Sequence, residues 1–223
     1  MGNYLLWLRI VEFSAVVAVL SVCATKMHKK GFALYFKIYL CTAASYALFL
    51  LYDIISTLCL KILLPVDIGG IGILGCGAFL LSANLGQMDG LVDERTKKSR
   101  TAGLTALIAP AVLGALLCVL VFSSKVSSAF KFLGIIPLSS GIIASYFHLK
   151  HILLPADSLG LLITVRPGNI LALLFLLSIT LLTGASVAGL FILKEIAGVL
   201  SAVFICTMSV CSVKEAKKWK TSV

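Results

Sequence analysis

Apolar stretches of bilayer length alternate with short polar segments along the whole chain. A helix needs about 20 mostly apolar residues to cross a hydrocarbon core of about 30 Å. Seven stretches meet this requirement, at 4–25, 32–52, 68–88, 102–122, 132–151, 169–191 and 196–213. Each is predicted to be an α-helix, because a spanning segment must satisfy its own backbone hydrogen bonds and these runs are too long and continuous for barrel strands.

Between the last two spans, only Lys194 and Glu195 interrupt the apolar sequence. A single helix over 169–213 would exceed the thickness of a membrane, so a break is expected at this pair. The predicted fold is an all-α, polytopic bundle of seven transmembrane helices, with six or eight as the alternative counts. It forms one domain over 1–213, followed by a short basic tail over 214–223. No basic stretch precedes the first apolar segment, which we therefore expect to be retained rather than removed as a signal peptide.

Composition supports a membrane protein and excludes several functional classes. The chain is 60% hydrophobic and 13% charged, whereas soluble proteins are roughly 45–50% apolar and about a quarter charged. Secreted, nucleic-acid-binding and cytosolic enzyme classes are thereby disfavoured. Seven cysteines occur singly, without a CxxC motif, so neither a disulfide framework nor a zinc site is predicted.

The distribution of the net charge of +10 predicts an orientation. With the N-terminus outside, thirteen of the nineteen basic residues fall on the inner side: Lys26, Lys29, Lys30, Arg95, Lys97, Lys98, Arg100, Lys150, Arg166, Lys214, Lys217, Lys218 and Lys220. Four fall outside, and the remaining two lie within spans. This asymmetry predicts an external N-terminus and a cytoplasmic C-terminus, in a plasma (inner) membrane whose anionic inner leaflet faces the basic loops. A nucleic-acid partner is not expected.

Arg9 and Glu12 are ionisable residues within the first span, three residues apart on one helical face. Burying an ionisable side chain inside a membrane costs free energy, so such residues indicate a functional site. The alternative is a structural ion pair in which the two charges neutralise each other. If the pair is isolated, Glu12→Gln should leave Arg9 unpaired and lower stability. Asp53 and Asp67 are predicted at the outer boundary as exposed residues that rim a vestibule. These four are the candidate ligand-binding residues.

The inner ends of the third and fifth spans are unusually polar. His148 and His151 are expected to be interfacial, and a metal site is less favoured because no third ligand lies nearby in sequence. Together with the end of the third span, they predict a cytoplasmic surface that contacts a protein partner. The candidate interaction residues are Asn84, Gln87, Asp89, His148 and His151.

Small residues recur at helical spacing in the third and sixth spans. The segment from Gly70 to Gly75 matches GxGxxG, but the dinucleotide fingerprint requires a preceding strand, and here the motif lies in a membrane span. Close helix packing is the favoured interpretation. The predicted packing positions are Gly69, Gly72, Gly75, Gly184 and Ala188.

Three functions are compatible with these patterns. The favoured one is a non-enzymatic, receptor- or sensor-like subunit that binds a small ligand or lipid and couples to a cytoplasmic partner. A small-solute facilitator is second, although transporters often contain internal repeats and the first and last three spans are not evidently similar. An intramembrane lipid-modifying enzyme is third, because neither GxSxG nor HExxH occurs. No cofactor is expected.

Overall fold

The computed structural model describes residues 2–28, 34–60, 69–87, 97–154 and 160–222. Within these ranges the chain forms seven α-helices and no strand. The helices are α1 Gly2–His28, α2 Leu34–Leu60, α3 Gly70–Gln87, α4 Lys97–Ser123, α5 Ser128–Leu153, α6 Gly160–Ala188 and α7 Phe191–Ser222. The predicted all-α helical bundle is confirmed.

Six of the described helices are long and apolar enough to cross a membrane, which makes this a multi-pass membrane protein. The apolar part of α3, Gly70–Leu85, is shorter. α3 runs antiparallel to α2, since Gly72 lies against Phe49 and the Cys76 thiol is 3.5 Å from the Thr42 carbonyl. At 1.5 Å per residue, α3 extends about 27 Å, close to the thickness of the hydrocarbon core. A seventh crossing, by α3, remains a prediction.

The break between α6 and α7 lies earlier than predicted. α6 ends at Ala188, and α7 begins at Phe191, so Lys194 belongs to the first turn of α7 and donates its amide to the Leu190 carbonyl at 2.9 Å. Gly189 makes the turn possible with a φ of 73°, which glycine adopts without a steric penalty. The predicted break at Lys194 and Glu195 is therefore wrong by about one helical turn, because the turn depends on a single glycine rather than on the charged pair.

Several helices extend beyond their apolar spans. α6 begins at Gly160, well before the apolar run that starts at Asn169. α7 continues past Val213 to Ser222, and both Glu215 and Ala216 are buried. The basic end of the chain is therefore helical through residue 222, and its first turn packs into the bundle.

Five helices, α2, α3, α5, α6 and α7, contact one another in a closed ring, with α3 also contacting α6 across it. α1 packs outside the ring against α2 and α7, and α4 packs against α5 and α6. The interior is filled by fully buried side chains that include Tyr46, Leu50, Phe175 and Ile205. Large apolar side chains on the outside, such as Ile108, are exposed as lipid-facing residues are.

Three of the glycines singled out in the sequence lie where helices approach each other closely. A Cβ at Gly72 would be 2.7 Å from the Ser45 carbonyl oxygen of α2, and one at Gly184 would be 2.8 Å from Leu117 of α4. Gly75 also faces Ser45 in the same α2–α3 contact. Gly69 is buried immediately before α3, whereas Ala188 is only partly buried at the end of α6.

Candidate functional site

Two groups of buried polar side chains lie at opposite ends of the bundle. The first, which we call the charged cluster, comprises Arg9, Glu12, Asp53 and Glu195 and joins the beginnings of α1 and α7 to the end of α2. The second, the histidine network, joins the beginnings of α2 and α6 to the ends of α3 and α5. Its members are Tyr35, Tyr39, Asn84, His148, His151 and Asn169.

Arg9 is the centre of the charged cluster and is only 3% exposed. Its Nη1 donates to Glu12 Oε2 at 2.7 Å, and its Nη2 donates to both carboxylate oxygens of Glu195 at 2.9 and 3.0 Å. Its Nε lies 3.0 Å from Asp53 Oδ2. Such charge-assisted contacts are stronger than hydrogen bonds between neutral groups, so the guanidinium links α1 to α2 and α7.

Local packing fixes the guanidinium of Arg9 in place. A Cβ at Gly198 would lie 2.5 Å from Nη1 of Arg9, so glycine leaves room for the guanidinium against α7. The Tyr46 hydroxyl donates to the carbonyl of the same Gly198 at 3.2 Å. A contact between α2 and α7 therefore lies directly beside the charged cluster.

The charges within the cluster do not balance. In their ionised forms, one guanidinium faces three carboxylates among the described residues, which leaves a net charge of −2. Glu12 Oε1 and Asp53 Oδ2 are buried, and neither receives a hydrogen bond from any described group. Asp53 Oδ2 is ion-paired with Arg9 Nε at 3.0 Å, but burying carboxylate oxygens that receive no hydrogen bond is costly. The arrangement can therefore accept hydrogen bonds and positive charge from a bound molecule.

The structure brings together three of the four candidate ligand-binding residues. Arg9 and Glu12 form the ion pair expected from their spacing. The prediction that Asp53 is an exposed boundary residue is wrong: it is 5% exposed because α2 continues past it to Leu60 and turns its carboxylate toward Arg9. Asp67 lies outside the described residues.

In the histidine network, hydrogen bonds join His151, Asn84, His148 and Asn169 in that order. His151 Nδ1 lies 2.7 Å from Asn84 Oδ1, and Asn84 Nδ2 lies 2.8 Å from His148 Nε2. His148 Nδ1 in turn lies 2.9 Å from Asn169 Oδ1, which also accepts from the tyrosine hydroxyls of Tyr35 and Tyr39 at 3.3 Å. These contacts connect four helices at one level of the bundle.

The chemistry of these groups assigns the proton positions in the two histidines. An amide nitrogen can only donate, so His148 Nε2 accepts and its Nδ1 carries the hydrogen given to Asn169. An amide oxygen can only accept, so His151 also carries its hydrogen on Nδ1. Both nitrogens of His148 are thus used by asparagines. Among the described residues, no three His, Cys, Asp or Glu side chains are grouped to hold a metal ion.

The prediction of interfacial histidines is wrong. His148 is 0% exposed and His151 is also buried, because Asn84 and Asn169 satisfy them inside the bundle. Asn84 is likewise buried rather than part of a surface. Gln87 is the last residue of α3, and Asp89 lies outside the described residues.

Glu195, Asn169, Tyr35 and Tyr39 belong to the two polar groups, and sequence inspection did not assign any of them to a candidate site. Each is a polar residue next to or within an apolar run, which is the signal that could have identified it. The partners of Glu195 and Asn169 lie far away in sequence, 186 residues for Glu195 with Arg9 and 130 for Asn169 with Tyr39, so spacing alone could not pair them.

No known family model matches the chain, and no curated protein or solved structure shows significant similarity to it.

Proposed function

We propose that the protein is a receptor- or sensor-like membrane subunit that binds a small cation carrying N–H donors at the charged cluster. The observation that carries this proposal is the pair of buried carboxylate oxygens, on Glu12 and Asp53, that receive no hydrogen bond from the described groups. A primary ammonium ion supplies the hydrogen-bond donors that these oxygens lack, and its charge offsets the excess of carboxylates over the one guanidinium in the cluster.

The position of Glu195 supports access to the site. Its side chain is 18% exposed, whereas the side chains of Arg9 and Asp53 are 4% and 7% exposed. Glu195 lies in the first turns of α7, so a ligand approaching from the N-terminal end of the bundle meets this carboxylate first. With the predicted external N-terminus, that approach is from outside the cell.

The packing between the two polar groups favours a sensor over a facilitator. Leu50, Phe175 and Ile205 are fully buried at the levels between the charged cluster and the histidine network. An apolar, packed layer opposes passage of a cation, because burying a charge without partners is very costly. Binding at one end would instead change the packing of α1, α2 and α7, and the proposed cytoplasmic partner would detect this change at the opposite end of these helices.

Thermal unfolding in detergent with two small cations tests the binding proposal. Methylammonium carries three N–H donors, whereas tetramethylammonium has the same charge and none. We expect methylammonium at about 100 times its dissociation constant to stabilise the fold by about 2.7 kcal/mol, and tetramethylammonium to stabilise it much less. Glu12→Gln and Asp53→Asn should remove this difference. Glu215→Gln, which changes a buried carboxylate at the other end of α7, is the matched control and should retain it.

Equal stabilisation by the two cations, or an unchanged response in the Glu12→Gln and Asp53→Asn variants, would refute the binding proposal. Uptake of radiolabelled methylammonium into liposomes that contain this chain alone separates the two candidate functions. Binding without uptake supports the sensor, whereas uptake that Glu12→Gln abolishes would establish the facilitator instead.

A further inference from the structure

A groove of about 370 Å³ separates α1 from α7 at the end of the bundle opposite the charged cluster. Its walls are mainly apolar and include Ala18, Val22 and Val213. Lys26, Lys214 and Lys217 line the same groove, and all three are exposed. The groove therefore combines an apolar channel along two helices with a cluster of cations at its end.

We propose that this groove binds an anionic phospholipid, with an acyl chain between α1 and α7 and the phosphate beside the three lysines. The argument is charge complementarity, because the described residues that line the groove include three cations and no carboxylate. Glu215 lies on α7 between two of these lysines in sequence, but its Oε1 accepts the Gly168 amide of α6 at 2.8 Å. That contact turns its carboxylate toward α6 and away from the groove.

The chemistry of the groove matches a lipid better than a free anion. Basic pockets between transmembrane helices bind lipid head groups, and each Lys near an anionic surface contributes about 1 kcal/mol. The predicted orientation also assigns all three lysines to the inner side, where anionic lipids are concentrated. A free anion would use the lysines alone and would leave the apolar walls without an occupant.

The placement of the lysines distinguishes this site from general attraction to the membrane. Lys26 is near the end of α1, whereas Lys214 and Lys217 are one turn apart on α7, so three cations from two helices meet at one opening. Other exposed lysines, such as Lys37, do not line the groove. Removing the groove lysines should therefore affect lipid binding more than removing the same number elsewhere.

Native mass spectrometry of the full chain, released from detergent micelles that contain phosphatidylglycerol or phosphatidylcholine with identical acyl chains, tests the proposal. We expect the wild type to retain phosphatidylglycerol preferentially. The combined variant Lys26→Gln, Lys214→Gln and Lys217→Gln should lower the affinity for phosphatidylglycerol by about 100-fold, from about 1 kcal/mol per lysine. The control, Lys37→Gln, Lys125→Gln and Lys131→Gln, removes the same charge and should leave the affinity unchanged.

Two further measurements separate a lipid from a free anion. Ala18→Phe fills part of the groove without changing its charge, and it should weaken the binding of phosphatidylglycerol. Inorganic phosphate in large excess should not displace the lipid from the wild type. The proposal is overturned if both phospholipids bind equally, if the groove and control lysine variants behave alike, or if phosphate displaces the lipid while Ala18→Phe has no effect. The proposal is independent of cation binding at the charged cluster.

Discussion

Arg9 and Glu195 are 186 residues apart in sequence, yet two hydrogen bonds of 2.9 and 3.0 Å join them. These bonds connect the first described helix to the last. Glu12 and Asp53 form ion pairs with the same guanidinium. Arg9 is therefore the one cation that all three carboxylates of the charged cluster contact.

Removing the cation should destabilise the protein much more than removing one carboxylate. Arg9→Met leaves three carboxylates facing one another in a buried site, and we expect a loss of about 3–5 kcal/mol in the free energy of unfolding. Glu195→Gln leaves Arg9 paired with Glu12 and Asp53 and reduces the excess negative charge, so the expected loss is about 1 kcal/mol. Chemical denaturation in detergent measures both. Equal losses in the two variants would contradict the central role of Arg9.

The cluster also changes the expectation for Glu12. An isolated pair predicted that Glu12→Gln would leave Arg9 without a partner, but Asp53 and Glu195 remain within 3.0 Å of the guanidinium. We now expect Glu12→Gln to change the free energy of unfolding by less than about 1 kcal/mol. The same denaturation assay tests this expectation, and a loss as large as that of Arg9→Met would show that the other two carboxylates do not compensate.

His148 should contribute to the stability of the opposite end of the bundle. His148→Leu removes one acceptor of Asn84 Nδ2, which also donates to the Leu80 carbonyl at 3.3 Å, and one of three donors to Asn169 Oδ1. Because both asparagines keep other partners but lose one hydrogen bond each, the expected loss in the free energy of unfolding is about 1–3 kcal/mol. His28→Leu, at an exposed position near the end of α1, is the matched control and should be nearly neutral. Similar melting temperatures for the two variants would argue against the network.

The close approach of α2 and α3 can be tested at Gly72. A Cβ there would lie 2.7 Å from a backbone oxygen, which cannot move aside as a flexible side chain can. We expect Gly72→Ala to lower the free energy of unfolding by about 1–3 kcal/mol, as overpacking does. Ala78→Val adds volume at an exposed position of the same helix and should have little effect. A neutral Gly72→Ala variant would imply that the two helices separate at low energetic cost.

The topology prediction concerns α3, the shortest of the described helices. If α3 crosses the membrane, the chain crosses seven times and its two ends lie on opposite sides. Protease protection of epitope tags fused to each end, in sealed vesicles, measures this directly. We expect one tag to be cleaved from outside and the other to be protected. Cleavage of both tags, or protection of both, would indicate an even number of crossings.

The helices were predictable because a run of about 20 apolar residues is itself the requirement for a helix that spans the hydrocarbon core. Arg9 and Glu12 were identified as a pair for a similar reason, since residues three apart share a helical face. The burial of Asp53 and His148 could not be predicted in this way. Each is stabilised by side chains from other helices, and hydropathy along one segment contains no information about which neighbour satisfies a polar group.

The turn between α6 and α7 shows a second limit of hydropathy. The charged residues Lys194 and Glu195 indicated a boundary, but the actual turn depends on the conformational freedom of Gly189. One glycine within an apolar run is a weak signal, because glycines are common in membrane helices.

The link between Arg9 and Glu195 also has a consequence for biogenesis. The chain is synthesised from its N-terminus, so Arg9, Glu12 and Asp53 enter the bilayer long before the ribosome adds the carboxylate that completes their site. A nascent chain that lacks the last helix exposes this polar face to the lipid or to the insertion machinery. We therefore expect the charged side chains of α1 and α2 to become buried, and inaccessible to cellular quality control, only when the last helix has been added.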